Sequence, residues 1–293
     1  MSGILKGSMN PSQHSGIYEN YLHPYEHNRI YGNRMPSTSE RHDDWGRPTN
    51  EEIPENKELR YSSRYGDVDK VRKFLDDGAS PNAHNTVGQC APVLVTAAAW
   101  GYVDVMEVLL EHGADIYAVT TSDTDSVNAA AKFFHPDTLQ FLLEHGSTLK
   151  NYIVHGQEIT VLMKALSMIV PYTEHELDAR ILAVIEILLQ FGVSPNGGIT
   201  KDSSGGCSTR LLSPLTHVVK YPNSCMSIRS KIEACDILTR YGADKNEQGP
   251  GEKTALHYSM GSQHPKVISH LIEAGADVNI MDSLGEKPRV SLG

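Results

Sequence analysis

One glycine constrains this chain more than any other feature, because it keeps returning. It closes F-L-D-D-G-A-S-P-N, L-L-E-H-G-A-D, L-L-E-H-G-S-T, L-L-Q-F-G-V-S-P-N, L-T-R-Y-G-A-D-K-N and L-I-E-A-G-A-D-V-N, as Gly78, Gly113, Gly146, Gly192, Gly242 and Gly275. Successive spacings are 35, 33, 46, 50 and 33 residues. Glycine in the left-handed conformation ends many helices, so each marks a helix C-terminus. The last unit shows the pattern most clearly. Thr254 precedes an apolar-periodic run (Leu256, Ser259, Met260) and can cap it. His264-Pro265 interrupts the run and restarts it, since proline is tolerated in a first helical turn. Val267, Ile268, Leu271 and Ile272 then fall on one face of a second helix, which Gly275 stops. Two short helices back to back cannot bury their apolar faces alone. They need neighbours.

A period near 33 residues, two helices per period, a T-x-L-H opening and a G-A-D-x-N close resemble the ankyrin repeat. Six imperfect repeats run from about residue 52 to about residue 282. The resemblance implies an all-α fold, a solenoid of helix-turn-helix pairs joined by β-hairpin-like loops. It places a repeat domain over residues 51–293. It also implies that His257, in the T-x-L-H position, hydrogen-bonds the adjoining loops.

Residues 1–50 read differently. They hold Asn, His, Ser, Gly, Pro and Tyr, almost no aliphatic residues after Leu22, and no sustained period, which predicts a disordered tail or a segment that orders on a partner. Within it Tyr18, Tyr21, Tyr25 and Tyr31 cluster, and Y-E-N and Y-L-H-P resemble short phosphotyrosine ligands of SH2 domains. The first repeat begins on polar residues, as a terminal repeat with one face in water should. In the second, Ala97 and Ala98 let the first helix lie close to its neighbour while Val105, Met106, Leu109 and Leu110 fill the core. The third carries Phe134-His135-Pro136 where the family usually has Gly-His. The fourth and fifth are expanded between their two helices, around Pro171 to Arg180 and Pro222 to Ser230, and a Gly/Ser-rich excess follows Asn196. Insertions of this kind are expected in surface loops. After Asp282 a further turn begins and stops, so the last pair is expected to fray or to meet a partner.

Composition narrows the function. The 26 Lys and Arg against 36 Asp and Glu give a net charge of −10, which argues against a binder of phosphate backbones. Cys90, Cys207, Cys225 and Cys235 show no paired metal spacing and read as reduced thiols. No stretch approaches the ~20 apolar residues of a membrane span, and the N-terminus lacks an apolar signal core. These features predict a soluble cytoplasmic protein without cofactor or metal. Catalytic motifs are lacking: H-E-L-D at His175 has no second histidine, and G-P-G-E-K-T at Gly249 places Glu252 where a phosphate loop requires glycine before its lysine. His112 and His145 precede closing glycines, where they complement the helix dipole.

The resemblance also places a candidate site. In ankyrin repeats the two positions before the inter-helix turn face the concave groove. Here they read Arg64-Tyr65, Ala99-Trp100, Lys132-Phe133, Ser167-Met168, Lys220-Tyr221 and Gly261-Ser262. Five consecutive repeats therefore present Tyr, Trp, Phe, Met, Tyr, with Arg64, Lys132 and Lys220 beside three of them. Such residues are enriched at interface cores. Two readings stay open: the rings bind a partner, or each packs on the next repeat's first helix. The favoured expectation is a non-enzymatic adaptor or scaffold that binds a protein or peptide, possibly a basic one, in the groove. Its partners would include neither nucleic acid nor membrane. The alternatives are an inhibitor or immunity protein that blocks an enzyme or toxin, and a secreted effector.

Overall fold

The computed structural model describes residues 54–84, 91–154, 157–167, 175–196, 212–220, 226–261 and 265–288. The N-terminal tail, Cys90, Cys207, Cys225, the Gly/Ser-rich stretch after Asn196, Met168 and Tyr221 lie outside the described residues. The chain divides into two compact units, Met1–Asp125 and Ser126–Gly293.

In the first unit, helices α1 (Pro54–Tyr65) and α2 (Val68–Asp76) form one pair, and α3 (Val93–Trp100) and α4 (Val103–Glu111) the next. First helix packs on first helix (α1 on α3) and second on second (α2 on α4). The second unit repeats this arrangement. Its first helices are α5 (Ser126–Lys132), α7 (Val161–Leu166), α9 (Pro214–Lys220) and α11 (Ala255–Gly261), each packed on the next. Its second helices are α6 (Pro136–Glu144), α8 (His175–Gln190), α10 (Ile228–Arg240) and α12 (Pro265–Glu273), likewise stacked in order. Between the layers lie Leu139, Leu142, Leu162, Ile185, Leu188, Leu215 and Leu256, all fully buried. In the first unit Leu59, Val71, Ala97, Ala98, Met106 and Leu109 do the same work. Ala97 and Ala98 are fully buried on α3, the helix that packs on α1.

The repeated motif letters each have a physical task. All six closing glycines sit at φ between 85° and 100°, a region that costs other residues steric energy. The residue after each donates its N–H five residues back, as in Ala79 to Phe74, Ala114 to Leu109 and Ala276 to Leu271, all at 2.9 Å. This closes the last helical turn. The asparagine of G-A-D-x-N then ties one repeat to the next. Asn82 Oδ1 accepts the N–H of Asp115 at 2.7 Å, Asn196 that of Asp244 at 2.7 Å, and Asn246 that of Asp277 at 2.8 Å. Each aspartate in turn accepts a backbone N–H two residues on, fixing the turn: Asp115 from Tyr117, Asp244 from Asn246, Asp277 from Asn279.

Three sequence expectations gain detail. One connecting loop is a formal two-stranded antiparallel hairpin, β1 (Tyr152–Val154) with β2 (Gln157–Ile159), in register Tyr152 with Ile159. Phe134 adopts φ of 56° at the turn where the family usually has glycine, its ring buried. The expansions also differ from simple surface loops. Residues of the first lengthen α8 to 16 residues and those of the second lengthen α10 to 13, against 9 for α2, α4, α6 and α12. Added helical turns find neighbours, because each extended helix stacks on the other.

Candidate functional site

The first helices end in the residues singled out from the sequence. In the first unit, α1 terminates in Arg64 and Tyr65. The Arg64 guanidinium lies over the Trp100 ring at the end of α3, 5.7 Å from its centroid. Trp100 is half-buried, neither core filler nor free in water, and Tyr65 is 51 % exposed. Tyr61, one turn earlier on α1, is equally open. A cation held on an aromatic face gains about 0.5–2 kcal/mol, depending on how dry the contact is. The arginine and indole therefore hold each other in place across two repeats.

In the second unit, Lys132 ends α5 with its ammonium 5.4 Å from the centroid of Phe133, and both residues are half-buried. Lys220 ends α9, and its ammonium lies 5.2 Å from the centroid of Tyr258 on α11. Tyr258 was not among the expected residues. The sequence register took the two positions before the turn, which in the last repeat are Gly261 and Ser262. Tyr258 stands one helical turn earlier, and a helix brings residues three and four apart onto one face. Its hydroxyl donates to the Pro250 carbonyl at 3.0 Å, which fixes the ring. That spacing was the signal available in the sequence.

Beside Lys220, His217 is buried on α9. Burial disfavours its charged form and lowers its pKa below the ordinary 6.5; a backbone hydrogen bond at Leu166 opposes that, and the Lys220 charge adds to it. Cys235 is also buried on α10, where desolvation first, and the neighbouring Asp236 second, push its thiol up to about 12. Such a thiol is not a nucleophile at neutral pH. His257 plays the architectural part that the resemblance implies. Its Nδ1 accepts the N–H of Thr254 at 3.1 Å and its Nε2 reaches the Glu286 carbonyl at 3.1 Å, so the proton belongs on Nε2.

Comparison with known proteins decides the family. A family model described as "Ankyrin repeats (many copies)" matches residues 94–143, and one described as "Ankyrin repeat" matches residues 252–283. This is an ankyrin-repeat protein. Its fold is similar to that of the human ASB11 ankyrin repeat domain, with a TM-score of 0.60 at 19% identity over 81% of this chain and 90% of that one. It is similar also to the ankyrin repeat domain of Bcl-3, with a TM-score of 0.54 at 18% identity over 79% and 91% of the two chains. Among curated proteins, it is 26% identical over 237 residues to the E3 ubiquitin-protein ligase KEG of Arabidopsis thaliana, a match covering 76% of this chain and 13% of that protein. Ankyrin repeats are in general protein–protein interaction modules. Among the described residues, no helix is long and apolar enough to cross a membrane.

Proposed function

We propose that this ankyrin-repeat protein is a non-enzymatic adaptor or scaffold that binds a protein or peptide through the first helices of each unit. The partner-binding residues are Arg64, Tyr65 and Trp100 in the first unit, and Lys132, Phe133 and Lys220 in the second, with Met168 and Tyr221 at the equivalent positions of the chain. The observation that carries the reading is the pairing of Arg64 with Trp100 and of Lys132 with Phe133, each half-buried at the end of a first helix. Core filler would be fully covered, as Ala97 and Leu109 are. An aromatic ring kept partly open, with a cation already seated on it, is a pre-organised interface anchor. The match to a small part of a ubiquitin ligase supports the repeats and carries no ligase chemistry to this chain.

The test is affinity capture with the full chain, its Trp100→Ala and Phe133→Ala variants and a Glu111→Ala control, each checked by thermal melting. Glu111 lies exposed on a second helix, paired with Arg72 at 3.2 Å. The two aromatic variants are expected to fold and to lose the captured partner, by about 2 kcal/mol or more of affinity, while the control changes it by less than about 0.5 kcal/mol. A Trp100→Ala variant that folds and retains the same partners would defeat this reading of the first helices.

A further inference from the structure

Helix α1 presents two stripes. Leu59, Ser62 and Ser63 stand at i, i+3 and i+4 and are buried in the first unit. Tyr61, Arg64 and Tyr65 repeat that spacing two residues on, about 200° further round the helix, and so fall on the opposite side. Both tyrosines are exposed, and Arg64 is half-buried where it reaches Trp100 at the end of α3. A single exposed aromatic needs no explanation. Two on one stripe, with an arginine beside them and a tryptophan beneath it, gather the residue types that dominate interface energies.

The arginine is also uncommitted. Among the described residues no carboxylate pairs with Arg64. Asp67, the carboxylate nearest to it in sequence, caps α2 and holds the Lys70 ammonium at 2.6 Å, and Glu111 is paired with Arg72 at 3.2 Å. The Arg64 Nε is buried with no hydrogen-bond acceptor among the described residues, which costs stability in the free chain. The fold thus holds a guanidinium in place without neutralising it. Contact with the Trp100 ring steadies the group through its face and leaves its terminal N–H donors for another acceptor. A carboxylate is the anion that matches this rigid fork, through two parallel N–H bonds. The net charge of −10 is a sum over the whole chain, whereas a docked side chain meets the charges within ~8 Å in physiological salt.

Tyr61 and Tyr65 lie four residues, or about 6 Å, apart along α1. Alternate residues of an extended chain point the same way and lie about 7 Å apart. A strand-like segment laid along α1 therefore meets the stripe with every second side chain. Resting on the protein-binding reading above, we infer that this end of the first unit takes an extended segment of a partner protein, with an Asp or Glu clamped by Arg64 and an apolar or aromatic residue two positions away lying on the tyrosine rings.

The experiment pans a displayed library of random peptides on the full chain and measures the selected peptides by fluorescence anisotropy. The binders are expected to share an Asp or Glu with an apolar residue two positions from it. Changing that acid to its amide should weaken binding about tenfold or more, and Arg64→Gln should weaken it as much. Arg64→Lys keeps the charge without the fork and is expected to retain only part of the affinity. Arg64→Glu, panned with the same library, should select Lys or Arg at the acid's position, a reversal that a merely structural arginine would not produce. Melting curves show which variants fold; if Arg64→Glu does not, the amide peptides on the wild-type chain still decide. Binders indifferent to the acid or to Arg64→Gln overturn the inference. Binders that are lost on Tyr65→Ser but carry no acid sink the acidic segment and leave the protein-binding reading standing. A library that gives no binder sensitive to Arg64, Tyr65 or Trp100 sinks both for the first unit.

Discussion

The Asp178 carboxylate accepts the hydroxyl proton of Ser230 at 2.7 Å and the backbone N–H of Ser227 at 3.2 Å. Asp178 belongs to the expansion of the fourth repeat, the serines to that of the fifth. Ser227 itself caps α10 by accepting the Ser230 N–H at 3.2 Å. Two departures from the regular period thus meet, and a side chain of one completes the helix start of the other.

Asp178 is 7 % exposed, and its loss removes the acceptor of the Ser227 N–H and of the buried Ser230 hydroxyl. Asp178→Ala is expected to cost about 1–3 kcal/mol in urea unfolding. Arg240→Ala, which removes a solvent-exposed 3.5 Å pair with Glu186, should cost about 1 kcal/mol at most. Equal effects would mean that the two expansions do not support each other.

The Tyr102 ring fixes a second contrast. A Cβ on Gly66, at φ of 72°, would stand 2.7 Å from that ring, whereas on Gly113, at φ of 85°, it would meet nothing within 4 Å. Gly113→Ala should cost only the backbone term, roughly 1–2 kcal/mol. Gly66→Ala has to displace an aromatic ring as well, and its melting temperature is expected to be the lower of the two.

Leu109 and Leu142 are fully buried in second helices of the two units. Truncating either to alanine should cost about 2–5 kcal/mol in chemical denaturation. Glu111→Ala, two positions from Leu109 but on the exposed side, should stay within about 0.5 kcal/mol. A costly Glu111→Ala would show that the helix face is assigned wrongly.

His217 gives stability a pH dependence of definite sign. Burial holds its folded-state pKa below the 6.5 of the unfolded chain. Between those two values the unfolded state binds the extra proton, so the contribution is complete above the unfolded pKa and is lost as pH falls from there through the folded one. Urea melts of the wild type should therefore weaken more steeply on acidification below about 6.5 than those of His217→Gln. Parallel pH profiles would show that His217 charges without penalty where it sits.

Much of this was legible in the sequence because it is local. The closing glycines, the T-x-L-H opening at Thr254 and the G-A-D-x-N close all act within a turn or with the neighbouring loop or the matching place of the next repeat. A repeat fixes its own neighbours, so a period and two amphipathic helices were enough to specify the stacking. The ends of the first helices were legible for the same reason, since the inter-helix turn marks them. What the sequence could not determine was which side chains meet across repeats of unequal length. Lys220 and Tyr258 lie on different helices and come together only because α9 packs on α11. Asp178 and Ser230 stand 52 residues apart and pair because both second helices, which stack on each other, are longer than the regular ones.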